Sequence, residues 1–177
     1  ESINTELGIR FSLNGLNGEI IAYQNDYTNL LGNDLAATGG FGELDPFNAG
    51  KALVSGLEVL MNSSFSESVP FSLSYTLTNA KFLTDFGSIQ DIWGEVSNGD
   101  RIPYIPQHQL NSSLSFITDK IDININANYN GEFSTIADGS EKIQSYFIVD
   151  MSINYKIKSN ITLKLSLIHI SEPTRHP

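Results

Sequence analysis

The chain has 177 residues, of which 40% are hydrophobic, and its 14 glycines and 6 prolines are typical of a folded domain rather than of a disordered or collagen-like chain. It has no cysteine, which excludes disulfide bonds and thiolate metal sites, and its formal net charge of -10 opposes binding to nucleic acid. No apolar run reaches the length of about 18 residues that a membrane helix requires, so only strands could cross a membrane.

Alternating apolar and polar residues predict four strands in the first half of the chain, at residues 6–13, 19–29, 52–62 and 71–79. The second strand alternates less regularly because Ile20 and Asn25 interrupt the pattern, and we assign Ile21, Tyr23 and Tyr27 to its apolar side. The apolar sides of the other three strands consist of Leu7, Ile9, Phe11 and Leu13, then Leu53, Leu57, Val59 and Met61, then Phe71, Leu73, Tyr75 and Leu77.

Four further strands are predicted at residues 108–116, 121–130, 146–157 and 161–165. The strand at 121–130 alternates without interruption, with isoleucine, alanine and tyrosine on one side and aspartate and asparagine on the other. The apolar sides of its two long neighbours consist of Leu110, Leu114 and Phe116, then Phe147, Val149, Met151, Ile153, Tyr155 and Ile157.

The connections between these strands alternate in length. Residues 14–18, 62–70, 118–120 and 158–160 are short links, whereas 31–50, 84–107 and 131–144 are long and rich in glycine, aspartate and serine. Outer-membrane barrels have short turns at one end and long loops at the other, and a soluble sandwich has no reason to sort its loops in this way. The pattern therefore favours an all-β, antiparallel, up-and-down transmembrane barrel segment of about eight strands.

Aromatic residues on the apolar sides test this orientation, because a barrel carries an aromatic girdle at each membrane interface. We predict girdle positions near the long loops at Tyr27, Tyr129 and Phe147, and near the short turns at Phe11, Phe65, Phe71, Phe116 and Tyr155. Tyr75 lies in the middle of its strand and does not fit either girdle. Charged residues make up only 17% of the chain, so the polar sides are expected to face a lumen rather than bulk solvent.

Five segments carry a family resemblance and occur in the order of that family. They are ELGIR at 6–10, YQNDYTNLLG at 23–32, FNAGKALVSGLEV at 47–59, IPYIPQHQLN at 102–111 and YFIVDMSINYKI at 146–157. The set resembles the C-terminal part of the barrel of a TonB-dependent outer-membrane receptor, of the ferric-citrate transporter branch.

The resemblance implies a larger barrel of about 22 strands with a plugged lumen, of which this chain would supply about the last third. It implies uptake of a ferric chelate, either ferric citrate or a siderophore, through the outer membrane of a Gram-negative bacterium. Outer-membrane lipid and the chelate would be the partners, and TonB would act only through a plug domain that lies outside this segment. The resemblance implies no cofactor and no enzymatic activity.

The end of the chain differs in origin from the rest in our interpretation. The segment LSLIHISEPTR at 165–175 resembles the translated read-through of a sequencing adapter. We therefore expect residues 1–164 to be the receptor barrel segment and residues 165–177 to be a non-native tail, which leaves His108 as the one native histidine. A single histidine, at the start of a strand, lacks the partners that a metal site or a catalytic triad needs, so no metal site is expected.

Ligand contacts would come from the predicted long loops, and the candidates are Asn33, Asp34, Asp91, Trp93 and Arg101. Arg101 suits an anionic chelate best, since a guanidinium matches the geometry of a carboxylate. Two other classes remain open at this stage. One is a non-receptor outer-membrane barrel, such as a porin or a barrel enzyme, and the other is a soluble all-β binding domain.

Overall fold

The computed structural model describes residues 1–32, 47–64, 66–87 and 95–171. The described strands, in chain order, are β1 (Ser2–Leu13), β2 (Leu16–Thr28), β3 (Leu31–Gly32), β4 (Phe47–Asn48), β5 (Lys51–Ser64), β6 (Pro70–Phe82), β7 (Phe86–Gly87), β8 (Glu95–Val96), β9 (His108–Ile117), β10 (Ile121–Asn130), β11 (Phe133–Ser134), β12 (Lys142–Ile143), β13 (Tyr146–Lys158) and β14 (Ile161–Ser171). Within the described ranges no helix is long and apolar enough to cross a membrane.

Eight long strands form one antiparallel sheet in the order β1-β2-β5-β6-β9-β10-β13-β14. Each long strand pairs with the next long strand along the chain, which is the up-and-down arrangement that the sequence predicts. The other six strands form three two-residue hairpins, one inside each long connection. The sheet therefore has a short-turn end, where the short links lie, and a long-loop end, where the three long connections lie.

The strand register divides the side chains between two faces, because residues that lie directly opposite each other in an antiparallel pair share a face. What we call the apolar face carries the odd-numbered residues of β1, β5, β6, β10, β13 and β14 and the even-numbered residues of β2 and β9. The polar face carries the alternate residues. The predicted faces are confirmed for six of the seven long strands before β14.

The second predicted strand is the exception, and its face assignment was wrong. Tyr27 lies opposite Ser2 and Ala52, and Tyr23 lies opposite Glu6, so both tyrosines are on the polar face, as is Ile21. The turn explains the difference: Asn14 and Gly15 have φ values of 46° and 84°, which are typical of a two-residue type I′ hairpin that fixes the register of β2.

The buried core lies at the long-loop end and not within the sheet. Ala49, Phe82, Val96 and Ala137 form a buried cluster against which Leu30, Phe86 and Ile102 pack. The ring of Phe82 is fully buried and makes an edge-to-face contact with Phe86, with ring centroids 5.2 Å apart. This cluster joins parts of all three long connections, and it holds them together above the strands.

Among the described residues, none forms a second layer over the apolar face of the sheet. Leu7 is 76% exposed and Ile9 is 66% exposed on β1, and Leu165 is 63% exposed on β14. An exposed apolar surface of this extent marks contact with a membrane or another macromolecule.

Strand β14 continues beyond the boundary that we predicted at residue 164. Leu165 lies opposite Ile153 and Leu167 lies opposite Met151, so the alternation of faces continues through the start of the predicted tail. The last described pair joins Ser171 to Phe147, and residues 172–177 are outside the described ranges. The non-native origin of this segment stays a prediction.

Candidate functional site

The polar face is the side of the sheet that can meet a polar ligand. Across β9, β10 and β13 it carries Gln109, Asn111, Ser113, Ser115, Asp122, Asn124, Asn126, Asn128, Asn130, Asp150, Ser152 and Asn154. Most of these side chains are neutral and offer both donors and acceptors. Among the residues that the structure describes, no three of the acidic or histidine side chains are grouped closely enough to hold a metal ion.

Cross-strand hydrogen bonds order part of this polar face. The hydroxyl of Ser115 donates to Oδ1 of Asn124 at 2.7 Å, and Nε2 of Gln109 donates to Oδ1 of Asn130 at 3.1 Å. Each bond joins β9 to β10. The amide groups are therefore held at fixed positions along the strands instead of rotating freely.

A depression of about 390 Å³ lies at the centre of the polar face. Its polar lining includes Asn62, Ser72, Ser74, Asn111, Ser113, Asn126, Asn128 and Asp150. Oδ1 of Asp150 is buried there with no hydrogen-bond partner among the described residues. A buried carboxylate oxygen without a donor is costly, so Asp150 marks a point where a donor from outside this sheet fits.

A tyrosine braces three strands on the same face. Tyr23 on β2 lies across Gly56 on β5, and its hydroxyl is 3.2 Å from Oγ1 of Thr78 on β6. A Cβ atom at Gly56 would come within 2.6 Å of Oη of Tyr23, so only glycine leaves room for the ring. Sequence reasoning missed this contact because it placed Tyr23 on the apolar face.

One ion pair lies on the polar face near the short-turn end. Nε of Arg10 is 2.7 Å from Oε1 of Glu19, its directly opposite residue. The Arg10 side chain is 82% exposed. Such an exposed pair adds little to stability.

Backbone hydrogen bonds tie the long connections to one another. Tyr104, with a φ of 62°, donates its N–H to the carbonyl of Ser134 at 2.8 Å, and Gly131 donates to the carbonyl of His108 at 2.7 Å. In the hairpin that follows, the N–H of Ser140 donates to Oδ1 of Asp138 at 2.8 Å. This bond holds the pKa of Asp138 below its usual value.

Four of the five predicted ligand residues, Asn33, Asp34, Asp91 and Trp93, lie outside the described ranges. The fifth, Arg101, forms an isolated antiparallel bridge with Lys81, and its Nη2 donates to Oε1 of Gln107 at 2.9 Å. Since Lys81 belongs to the apolar face, Arg101 is on that side as well, away from the central depression. Its contact with a ligand stays a prediction.

Most of the predicted girdle residues are on the apolar face, one is on the polar face and one is outside the described ranges. Phe11, Phe71, Phe116, Tyr129, Phe147 and Tyr155 are on the apolar face, Tyr27 is on the polar face, and Phe65 is outside the described ranges. Tyr129 and Phe147 are directly opposite each other near the long-loop end. The girdle role itself stays a prediction.

Tyr75 fits neither girdle by its position in the strand. Its side chain contacts His108, toward the long-loop end. Its hydroxyl lies 2.9 Å from Nδ1 of His108, and the two rings are stacked with centroids 6.2 Å apart. His108 is thus a partner of a neighbouring tyrosine at the start of β9.

Comparison with known proteins identifies the family. Residues 1–168 match the family described as TonB dependent receptor-like, beta-barrel. A ferrienterobactin receptor of Escherichia coli strain K12 is 27% identical over an alignment of 181 positions, which covers 92% of this chain and 22% of the relative. A ferric enterobactin receptor of Pseudomonas aeruginosa is 25% identical over an alignment of 186 positions, which covers 92% of this chain and 23% of the relative.

Solved structures show the same fold. A crystal structure of the Pseudomonas aeruginosa ferric enterobactin receptor superposes with a TM-score of 0.63 at 23% identity, covering 93% of this chain and 25% of that one. A siderophore receptor of Acinetobacter baumannii gives a TM-score of 0.71 at 17% identity, covering 93% of this chain and 23% of that one.

These matches decide between the classes that the sequence leaves open. They exclude a soluble binding domain and a barrel enzyme, because TonB-dependent receptors are transporters of the Gram-negative outer membrane. The ferric-citrate branch that we predicted is not supported, since these two relatives are named for ferric enterobactin. The chain spans about a quarter of the length of those relatives, 22% and 23%. It belongs to the TonB-dependent receptor family and forms about a quarter of such a receptor's outer-membrane β-barrel.

Proposed function

We propose that this chain forms one wall of a barrel that takes up a ferric siderophore of the enterobactin type. The apolar face would contact lipid, and the polar face would line the lumen that the ligand crosses. The opposite character of the two faces of a single-layer sheet is the observation that carries the proposal, since lipid and an aqueous or plugged lumen each require one of them.

The central depression supports the lumenal part of the proposal. Amide and hydroxyl groups line it, together with a carboxylate oxygen of Asp150 that accepts no hydrogen bond from the described residues. A plug domain encoded by other residues of the receptor would supply that donor and would pass on the energy delivered by TonB. The ligand class comes from the relatives, which are named for ferric enterobactin.

Uptake by the complete receptor that carries this segment tests the proposal. The receptor would be expressed in a Gram-negative strain without its own ferric siderophore receptors, and radioactive iron would be supplied as ferric enterobactin or as ferric citrate. We expect iron uptake from ferric enterobactin that is lost when TonB is deleted.

Each alternative gives a different result. Uptake that persists without TonB would mean a passive pore and would overturn the receptor function. TonB-dependent uptake from ferric citrate alone would overturn the enterobactin-type ligand and leave the receptor function in place.

A further inference from the structure

The two faces of the sheet exchange their chemical character at the long-loop end of β6. On the apolar face the last apolar side chain is that of Leu77, and Asn79 and Lys81 follow it. On the polar face the last hydroxyl is that of Thr78, and Ala80 and Phe82 follow it. Beyond residue 78 the strand therefore has the pattern of a soluble antiparallel sheet, which packs one face on a core and exposes the other to water.

The long connections cover this apolar end of the polar face. Ala52 on β5 lies directly opposite Phe82, and neither side chain is more than 1% exposed. Ala49, Val96 and Ala137, one from each of the three long connections, complete the buried cluster around the ring. Phe82 is the largest of these side chains, so its ring fills the space in which the three connections meet.

Backbone hydrogen bonds fix the position of this ring against the second connection. The N–H of Phe82 donates to the carbonyl of Asp100 at 2.9 Å, and the N–H of Gly99 donates to the carbonyl of Phe82 at 2.9 Å. The N–H of Asp100 in turn donates to the carbonyl of Ser97 at 3.0 Å, which closes a turn at residues 97–100. Phe82 is thus joined to the second connection through its backbone and to all three through its ring.

Further contacts hold the bases of neighbouring connections together. The N–H of Lys51 donates to Oγ1 of Thr84 at 2.9 Å, and a Cβ atom at Gly50 would come within 2.8 Å of the Cβ atom of Thr84. These contacts join the first connection to the second. The bond from the N–H of Tyr104 to the carbonyl of Ser134 joins the second connection to the third. The three bases therefore form one packed unit, with Phe82 at its centre.

We propose that Phe82 is a positioning residue for siderophore binding, which holds the bases of the three long connections in the arrangement that recognises the ligand. Its ring is fully buried and has no surface with which to contact a ligand. The apparent affinity of a protein falls with the fraction of molecules that have the binding-competent arrangement. Loss of the ring therefore weakens binding without removing a ligand contact. This inference rests on the proposed function, because the ligand is the ferric siderophore.

Binding and uptake by the complete receptor test this role. Phe82→Leu, Phe82→Val, Phe82→Ala and the control Leu83→Ala would be expressed in a Gram-negative strain without its own ferric siderophore receptors. Receptor that is folded in the outer membrane would be counted by its heat-modifiable migration in gel electrophoresis. Binding of radioactive ferric enterobactin to cells without TonB gives the Kd, and uptake at saturating ferric enterobactin in cells with TonB gives the maximal rate per folded receptor.

We expect the Kd to rise as the side chain at position 82 becomes smaller. Phe82→Ala should raise the Kd at least about tenfold, the result when about a tenth of the molecules keep the competent arrangement, and should change the maximal rate less than about twofold. Phe82→Leu fills most of the space with another apolar side chain and should stay within about threefold of the unsubstituted Kd. Leu83→Ala, at a side chain that is 39% exposed, should leave both values unchanged.

The possible failures are distinguishable. An unchanged Kd in the folded Phe82 variants, a fall in maximal rate alone, or an equal rise of the Kd in Leu83→Ala would overturn the inference and leave the proposed function in place. If Phe82→Ala does not fold, a Kd that is the same in Phe82→Leu and Phe82→Val as in the unsubstituted receptor would overturn it. An unsubstituted receptor that does not bind ferric enterobactin would overturn the proposed function, and the inference with it.

Discussion

The two ends of the sheet are built differently. At the long-loop end, Phe82 and Ala49 are fully buried and three connections share one small core. At the short-turn end, tight turns close the strands directly, and Leu13 remains 64% exposed and Phe116 47% exposed. The difference indicates where a buried core is needed. Strands within the membrane have lipid against their apolar face, whereas the connections beyond the membrane are held by contacts between protein side chains.

The largest effect is expected when residues 1–177 are expressed without the rest of the receptor. Residues 1–177 alone leave β1 and β14 as sheet edges in the described structure, and unpaired N–H and C=O groups in hydrocarbon cost several kcal/mol each. We expect the isolated segment to aggregate without detergent, as measured by size-exclusion chromatography and light scattering. A monodisperse, folded monomer in plain buffer would contradict the assignment of the apolar face to lipid.

A second prediction separates the two ends directly. Phe82→Ala should destabilise the core of the long-loop end by about 3–5 kcal/mol, because it leaves a cavity where a fully buried ring was. Hydrogen–deuterium exchange of the complete receptor would show faster exchange in residues 97–102 and unchanged exchange in β9 and β10. Leu83→Ala, one residue further and 39% exposed, is the control and should change little. Equal effects of the two variants would show that the cluster is not a core.

The smallest expected effect concerns the tyrosine brace on the polar face. Gly56→Ala should cost about 1–3 kcal/mol, because a Cβ atom there would overlap the carbonyl oxygen of Leu77 and displace the ring of Tyr23. Gly87→Ala is the matched control, since a Cβ at Gly87 meets no atom within 4 Å. Thermal unfolding in detergent compares the two variants. If Gly56→Ala does not lower the thermal stability, the ring of Tyr23 can move away without a cost in stability.

The regular strands could be predicted from sequence because one property, alternation, decides both their location and their faces. Residues 121–130 follow it without a break, and the structure has β10 at Ile121–Asn130 with the expected faces. The faces of strand β2 could not be assigned in this way. Ile20 and Ile21 are adjacent, so the odd-numbered and the even-numbered residues each include one isoleucine. The Asn14-Gly15 turn would have decided the register, because an Asn-Gly pair is a strong signal for a two-residue hairpin.

The candidate sites were less accessible to prediction than the strands. The polar face follows from alternation, but the brace between Tyr23, Gly56 and Thr78 depends on the register of three strands at once. Arg101 was predicted as a ligand residue of a loop, and its pairing with Lys81, which puts it at the apolar face of the sheet, was not predicted. Pairing between a strand end and a distant part of a loop leaves no periodic signal in the sequence.

The two glycine contacts of β2 have a consequence for permeability. On the apolar face the ring of Phe11 covers Gly18, where a Cβ would come within 2.7 Å of its Cε1 atom, and on the polar face the ring of Tyr23 covers Gly56. A barrel wall is a single sheet thick, so an uncovered glycine would leave a thin spot between lipid and lumen. A neighbouring aromatic ring closes each gap from the side on which the side chain is missing. In a membrane, these two rings would keep water and ions away from backbone that carries no side chain of its own.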